Sequence, residues 1–575
     1  MSADRHPPLL IVWALLLVVG LGWGLGTAPL GDQDEGRNGE VAREMAESND
    51  YVLPHLNGLP YIDKPVLSFA ATAAVMEVLG PTELAARSVP FACSLVTALL
   101  VGMCARRWFG REAGWVAGIV AVTAPLPLAL SRIVILDAVL ALLVTSSLLA
   151  FLAAVEARAD RRPDRVWTLL AWAAIGLGIL TKGPVALAVP LMVAAPYALW
   201  RRASWAVWNP LGPLLAAAIV APWVWFMEDR LPGYLRYVAI TETWQRVSSD
   251  ELQRTQPWWY FLVIAGVGFF PWWPLAIGRG GTHGRRDPKR VFAILWLAVP
   301  LVFFSLSTSK LPQYILPLMP SIALLVAARW STARELPRRA AMVSLVGWCA
   351  LAMVMAAAGF GALEQTRIKP ELLAALPNPA RLMAAVCLLS VVWAVLALRS
   401  RGGQSLIAAL SLPMVALPVV LQPVIIAAVE RRSERALAHL IQSELPAETE
   451  VVGYRTWRPS LSFYLRRPVP ILSRDGDELR SNYILRTHDR WSDPAGWLRP
   501  LPPNRDEITS CDQPRVILVH ARRLDDQALM DGADLEKIWA GPKLHAYYCD
   551  PMAPMADPVP AQGPVHRGET QIPGS

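Results

Sequence analysis

Apolar and polar positions fall into long blocks along this chain. Residues 9–29 read LLIVWALLLVVGLGWGLGTAP, almost pure hydrocarbon, and four acids, Asp32, Asp34, Glu35 and Glu40, follow within residues 31–40. Comparable apolar runs recur near 85–104, 113–131, 136–155, 166–181, 184–200, 208–227, 258–277, 291–308, 314–328, 341–361, 379–398 and 406–428. A run of this kind is long enough, as a helix, to cross about 30 Å of hydrocarbon. The pattern predicts a polytopic α-helical membrane protein with about thirteen spans. Two longer stretches, 30–80 and 228–256, mix helical periodicity with charge and suit helices lying along the membrane surface. After residue 428 the pattern changes again. RALAHLIQSELPA has helical spacing, and EVVGY, SFYLRRPV and PRVILVHA read as short strands. A small α/β domain is expected over 429–550, and the Pro-, Gly- and Ala-rich tail 551–575 is expected to be disordered.

Charge orients the pattern. Only 17% of the 575 residues are charged, against about 25% in soluble proteins. With the N-terminus inside and strict alternation, the inner loops become CARRWFGREAG, EARADRRPDR, WRRAS, GRGGTHGRRDPKR, RWSTARELPRRA and RSRGG. All are rich in Arg, whereas the short outer loops LSRIVILD, TKGP and STSKLPQ hold one basic residue each. The series obeys the positive-inside rule, and odd parity sends the segment after 428 to the outer side. The net charge of +8 is thus accounted for by topology, without nucleic acid. The first run lacks a small-x-small cleavage site and reads as a retained span. The cysteines form no CxxC motif and no Cys/His cluster, which leaves no thiolate zinc site. Cys511 and Cys549 share the outer compartment, where a disulfide is permitted.

The outer face collects an unusual set of side chains: Asp34 and Glu35, Lys64, Arg132, Asp137, Lys182, Arg246, Lys310 and Tyr314. For Asp32, Glu44, Glu47 and Asp50 a solvated surface is the simpler reading. Asp137 differs, because it sits in IVILDAVLALLV with no other acid nearby, and an ionisable residue in an apolar run points to function. The plain alternative is an ion pair with Arg132. Lys182 and Lys310 go against the positive-inside pattern; they either snorkel or gather on an anionic headgroup. A carboxylate opposite several cations suits transfer of a group from a phosphate ester: the cations hold the phosphate, the carboxylate takes a proton from the incoming hydroxyl. No Walker A or Rossmann glycine pattern is present, so a lipid phosphate fits better than a nucleotide. A transporter would show internal repeats and midplane charges, and neither is seen.

The stretch DEGRNGEVAREMAESNDYVLPHLNGLPYIDKPVLSFAATA resembles the first outer loop of the lipid A aminoarabinose transferases. It also resembles their wider family, which includes the protein O-mannosyltransferases and shares the membrane-embedded C-type glycosyltransferase (GT-C) fold. ILDAVL, GLGILTKGPVALAVPL, TSKLPQYILPLMP and PSLSFYLRRPV continue the resemblance in order to about residue 475. It implies a catalytic membrane domain over 1–428 and transfer, with inversion, from a polyprenyl (undecaprenyl) phosphate sugar. The implied acceptor is a hydroxyl or phosphate of an envelope molecule such as lipid A, with Ser or Thr of a protein as the alternative. The implied place is the bacterial inner membrane, with the active site and C-terminal domain on the periplasmic side. By matching positions Asp34 is the catalytic carboxylate, Glu35 orients it or the loop, and Asp137 is a second acid. Lys64, Arg246, Lys310 and Tyr314 face the donor phosphate. No cofactor is named, and a divalent metal is left open. Asn38 stands where the family has Tyr, and Val66 replaces the second Pro of the Lys-Pro-Pro stretch, departures that bear on the acceptor.

Overall fold

The computed structural model describes residues 8–238, 256–277, 287–333, 338–361, 369–400, 402–487, 495–502, 506–533 and 535–551. Contacts divide the chain into two compact units, Met1–Leu56 with Pro60–Ser433, and Asn57–Leu59 with Glu434–Ser575.

The first unit is helical. It opens with α1 (Pro8–Gly22), α2 (Asp34–Ser48), a hairpin of β1 (His55–Leu56) and β2 (Leu59–Pro60), and α3 (Leu67–Leu79). Then come α4 (Glu83–Phe109), α5 (Arg111–Val122), α6 (Pro125–Leu130), α7 (Asp137–Ala159), α8 (Arg165–Lys182) and α9 (Val185–Trp200). Each of the thirteen apolar runs falls on a helix or a broken pair of helices. Eight helices among the described residues are long and apolar enough to cross a membrane: Glu83–Phe109, Asp137–Ala159, Trp205–Arg230, Pro288–Leu306, Pro312–Ser331, Arg338–Gly359, Pro377–Arg399 and Gly403–Val420. The run 113–131 is instead broken at Thr123 and Ala124 before Pro125, and 258–277 is broken between Tyr260–Gly268 and Trp273–Ile277, where Pro271 interrupts it.

Broken helices free backbone carbonyls that hydrocarbon cannot solvate. Buried indoles meet three of them. Trp272 Nε1 donates to Thr123 O at 2.6 Å, Trp296 Nε1 to Pro317 O at 2.8 Å, and Trp172 Nε1 to Val207 O at 3.0 Å. The same indoles sit in the core with Phe151, Phe292 and Leu148. Gly212 lets Trp172 cross, since a Cβ there would lie 2.1 Å from its ring.

The second unit holds a six-stranded sheet in the order β5-β4-β3-β6-β8-β7. Its strands are β3 (Glu450–Tyr454), β4 (Ile471–Ser473), β5 (Leu498–Pro500), β6 (Arg515–His520), β7 (Glu536–Ala540) and β8 (Leu544–Cys549). β3, β4, β5 and β6 run parallel, and β8 pairs antiparallel with both β6 and β7. Val451, Val452 and Gly453 are all buried, as in a parallel strand covered on both faces. Ile508, Ile517, Val519, Met530 and Tyr547 form a core on the sheet. SFYLRRPV, expected as a strand, is corrected: Pro459–Leu465 is a helix ended by Arg466 in the left-handed region. Leu461, Phe463 and Leu465 alternate as in a strand, but this short helix is buried nearly all round, so period carries no information there. Cys511 and Cys549 are bonded, with Cα atoms 5.9 Å apart. Beyond Pro551 the tail expected to be disordered lies outside the described residues.

Candidate functional site

Asp34 and Glu35 form the first turn of α2, where the helix dipole favours negative charge. Neighbours in sequence, they have opposite surroundings. The Asp34 side chain is 64% exposed and takes one bond, from Arg37 Nη2 at 2.6 Å. Glu35 is buried. Its Oε1 accepts from Arg87 Nε (2.7 Å) and Val134 N (3.2 Å), its Oε2 from Arg87 Nη2 (2.9 Å) and Gly31 N (3.1 Å). Two bonds on each oxygen use all the acceptor capacity of a carboxylate, so Glu35 has none left for an incoming hydroxyl. These four bonds hold Glu35 at the start of α2, next to the loop around Val134 that it was expected to orient.

Arg87 was missed by the sequence reading. It donates also to Leu25 O, Ala28 O and Pro29 O, so all five of its N–H groups are engaged. It fastens the chain leaving α1 to the start of α2. The one available signal was an Arg at the outer end of the second apolar run, against the positive-inside pattern.

Asn38 donates to Val134 O at 2.7 Å. Glu35 and Asn38 together hold the loop that ends at Asp137, the first residue of α7. Asp137 is 5% exposed. The alternative pairing with Arg132 is not formed. Arg132 donates to Leu21 O and Trp23 O, and Asp137 accepts from Lys182 Nζ at 2.6 Å. Lys182 ends α8, where the dipole favours a cation. Its ammonium also lies 5.3 Å from the centre of the Tyr314 ring, which packs on Phe304 and Phe261. Asp137, Lys182 and Tyr314 thus meet from three separate parts of the sequence.

A second group surrounds Arg37. Tyr61, ahead of Asp34, Asp63 and Asp32, holds its guanidinium above the ordinary value, against the opposing effect of burial. Asp63 accepts from the Tyr237 hydroxyl at 2.8 Å, and Lys64 Nζ donates to Asp63 O at 2.6 Å. Lys310 is 5% exposed and donates to Gln256 O at 2.9 Å and to Ser307 O. Those two bonds tie the segments around Gln256 and Ser307 together and leave one of three ammonium protons. Arg246 and most of the 228–256 stretch lie outside the described residues. Glu44 is buried, not solvated as expected. It lies on the side of α2 where Arg43 grips Glu40 through two bonds, at 2.6 and 2.7 Å, and Glu47 through one. Among the described residues no group of three His, Cys, Asp or Glu is arranged to hold a metal.

Residues 63–226 match the family described as dolichyl-phosphate-mannose-protein mannosyltransferase. An undecaprenyl phosphate-alpha-4-amino-4-deoxy-L-arabinose arabinosyl transferase of Aeromonas salmonicida is 32% identical over 310 residues, 53% of this chain and 56% of that protein. A namesake from Pectobacterium atrosepticum is 30% identical over 365 residues, 61% of this chain and 65% of that protein. The chain thus spans a little over half the length of the first of these curated relatives. The crystal structure of ArnT from Cupriavidus metallidurans bound to undecaprenyl phosphate superposes with a TM-score of 0.80 at 26% identity, covering 95% of this chain and 98% of that one.

Proposed function

We propose that this chain, an aminoarabinose-transferase-like membrane protein of the GT-C fold, is a glycosyltransferase of the inner membrane that uses a polyprenyl-phosphate sugar. What supports this reading is the gathering of Asp34 and Asp63 about Arg37, with Lys64 next to Asp63 in sequence, and of Asp137, Lys182 and Tyr314, near the interlocked starts of α2 and α7. Relatives named for an undecaprenyl-phosphate sugar, and a structure bound to undecaprenyl phosphate, support the choice of donor.

In the proposed reaction the acceptor oxygen attacks the anomeric carbon as the bond from that carbon to the phosphate oxygen breaks. The electron pair leaves with the polyprenyl phosphate, and the acceptor proton passes to Asp34. Asp34 suits this role because it is the exposed carboxylate of the pair, and a positioned base contributes typically ~10²–10⁴-fold. Lys64, with Arg246, Lys310 and Tyr314, faces the leaving phosphate. Lys182 can join them by sharing its ammonium between Asp137 and a phosphate oxygen. One displacement inverts the anomeric configuration. The acceptor is a hydroxyl or phosphate of an envelope glycolipid such as lipid A, met on the periplasmic side. The match to protein mannosyltransferases over 63–226 favours Ser or Thr of an envelope protein as the second reading.

Mass spectrometry of lipid A, other glycolipids and envelope proteins, from cells with wild type, Asp34→Asn and Asp32→Asn, tests both readings. A sugar adduct lost in Asp34→Asn and kept in Asp32→Asn is expected on a glycolipid. An adduct on proteins selects the second reading, and an active Asp34→Asn variant or a retained configuration overturns the base assignment.

A further inference from the structure

We infer that the first unit carries a binding site for an anionic phospholipid at the end of its bundle remote from Asp34. A cavity of about 310 Å³ opens between α1, α4 and α5. Leu17, Val18, Leu99, Met103, Trp115 and Ile119 make its walls apolar, and Arg106 and Arg111 close one end. Length places that end. α4 rises about 1.5 Å per residue, so Arg106 lies ~28 Å along the helix from Arg87, which binds Glu35. That is about the thickness of a bilayer's hydrocarbon core. Leu95 to Arg106, the part of α4 that lines the cavity, spans ~16 Å, or one leaflet. The cavity therefore has the depth of acyl chains of a single leaflet, with arginines at headgroup level.

Charge at that level selects the headgroup. Arg106, Arg107 and Arg111 are exposed, and Glu112 is the one acid from Cys104 to Gly114, a net of +2. Glu112 is engaged elsewhere, accepting from Trp330 Nε1 at 3.3 Å and Gln404 Nε2 at 3.2 Å. Glycine makes the path possible: a Cβ on Gly114 would lie 2.6 Å from Arg106 Cβ, so the Arg106 stem runs over bare backbone. A phosphodiester accepts from guanidinium groups, but a choline or ethanolamine headgroup brings its own cation beside them. A glycerol headgroup does not. The occupant is thus of the phosphatidylglycerol type.

The purified full-length protein, incubated with equal amounts of phosphatidylglycerol and phosphatidylcholine of the same acyl chains, tests this by native mass spectrometry of retained lipid. Wild type is expected to prefer phosphatidylglycerol, by about fivefold for each contributing arginine. Arg106→Gln with Arg111→Gln should bring the preference near unity without reducing phosphatidylcholine retention, and the matching lysine pair should keep part of it. Ala98→Leu, which narrows the groove, should lower retention of both lipids. Equal retention by wild type, or an unchanged preference in the glutamine pair, overturns the site. Displacement of phosphatidylglycerol by an equal amount of polyprenyl phosphate overturns the choice of occupant.

Discussion

At the scale of single residues, two adjacent acids meet opposite surroundings, Asp34 exposed and Glu35 buried against Arg87. Glu35→Ala would leave the Arg87 guanidinium buried without its counter-charge, a loss of about 3–5 kcal/mol, read as a lower unfolding temperature and poor yield. Glu35→Gln keeps the shape and one acceptor oxygen, so it should cost less and leave the pH profile of transfer unchanged. A moved acid limb in well-folded Glu35→Gln would make Glu35 the proton acceptor after all. On the donor side, Lys64→Ala should weaken transfer at limiting donor more than Lys64→Arg, since charge matters before geometry; equal rates in both would remove Lys64 from the phosphate contacts. Asp137 and Lys182 could be singled out from sequence because each breaks a local pattern, whereas Asp34, one of four neighbouring acids, was picked out by the resemblance. The Arg87–Glu35 and Asp137–Lys182 pairings could not, because the partners lie 52 and 45 residues apart and only the fold brings them together.

Among secondary elements, apolar runs of span length were readable because lipid and core both demand hydrocarbon on every face. The short elements after residue 428 were harder. β3 and β6 stood out as β-rich runs, whereas the helix Pro459–Leu465 hides its period by being buried nearly all round. The sheet also holds a pH-sensitive tie. Glu450, at the start of β3, accepts from Arg499 of β5 at 2.9 Å and from Arg515 of β6 at 2.8 Å. Against the opposing effect of burial, Arg499 and Arg515 hold its carboxyl below the ordinary value. A carboxyl depressed in the folded state contributes stability above its unfolded value, about 4.3, and loses it as pH falls through the folded one. Hydrogen exchange of the β3 and β6 amides should therefore accelerate relative to Glu450→Gln as pH drops below about 4. An equal response in both proteins would show that the tie contributes nothing. The bond between Cys511 and Cys549, 38 residues apart, gives a separate check. Alkylation in denaturant without reductant should label Cys93, Cys104, Cys349 and Cys387 alone, and labelling of all six would refute the bond.

On the scale of the whole molecule, the arginine-rich loops all fall on one side if the thirteen runs cross in alternation. That topology puts residue 430 outside. A phosphatase reporter fused there should be active, and one fused after residue 160, in the loop EARADRRPDR, should be silent. A silent reporter at 430 would mean that one of the shorter or broken helices does not cross.

The three-residue tip of the first hairpin has a consequence for anyone cutting this gene. Asn57 donates to Val469 O at 2.8 Å and accepts from Val469 N at 2.8 Å, satisfying both backbone groups of a residue more than 400 positions away, just ahead of β4. Gly58, at φ +76°, leaves room where a Cβ would strike the Trp497 ring at 2.4 Å. A fragment begun at Glu434 would lack both, and each buried polar group left without its partner costs about 1–3 kcal/mol. A soluble C-terminal fragment should therefore express poorly until a copy of the 55–60 hairpin is grafted onto it. Three residues, Asn57–Leu59, thus belong with Glu434–Ser575 although the sequence supplies them far upstream.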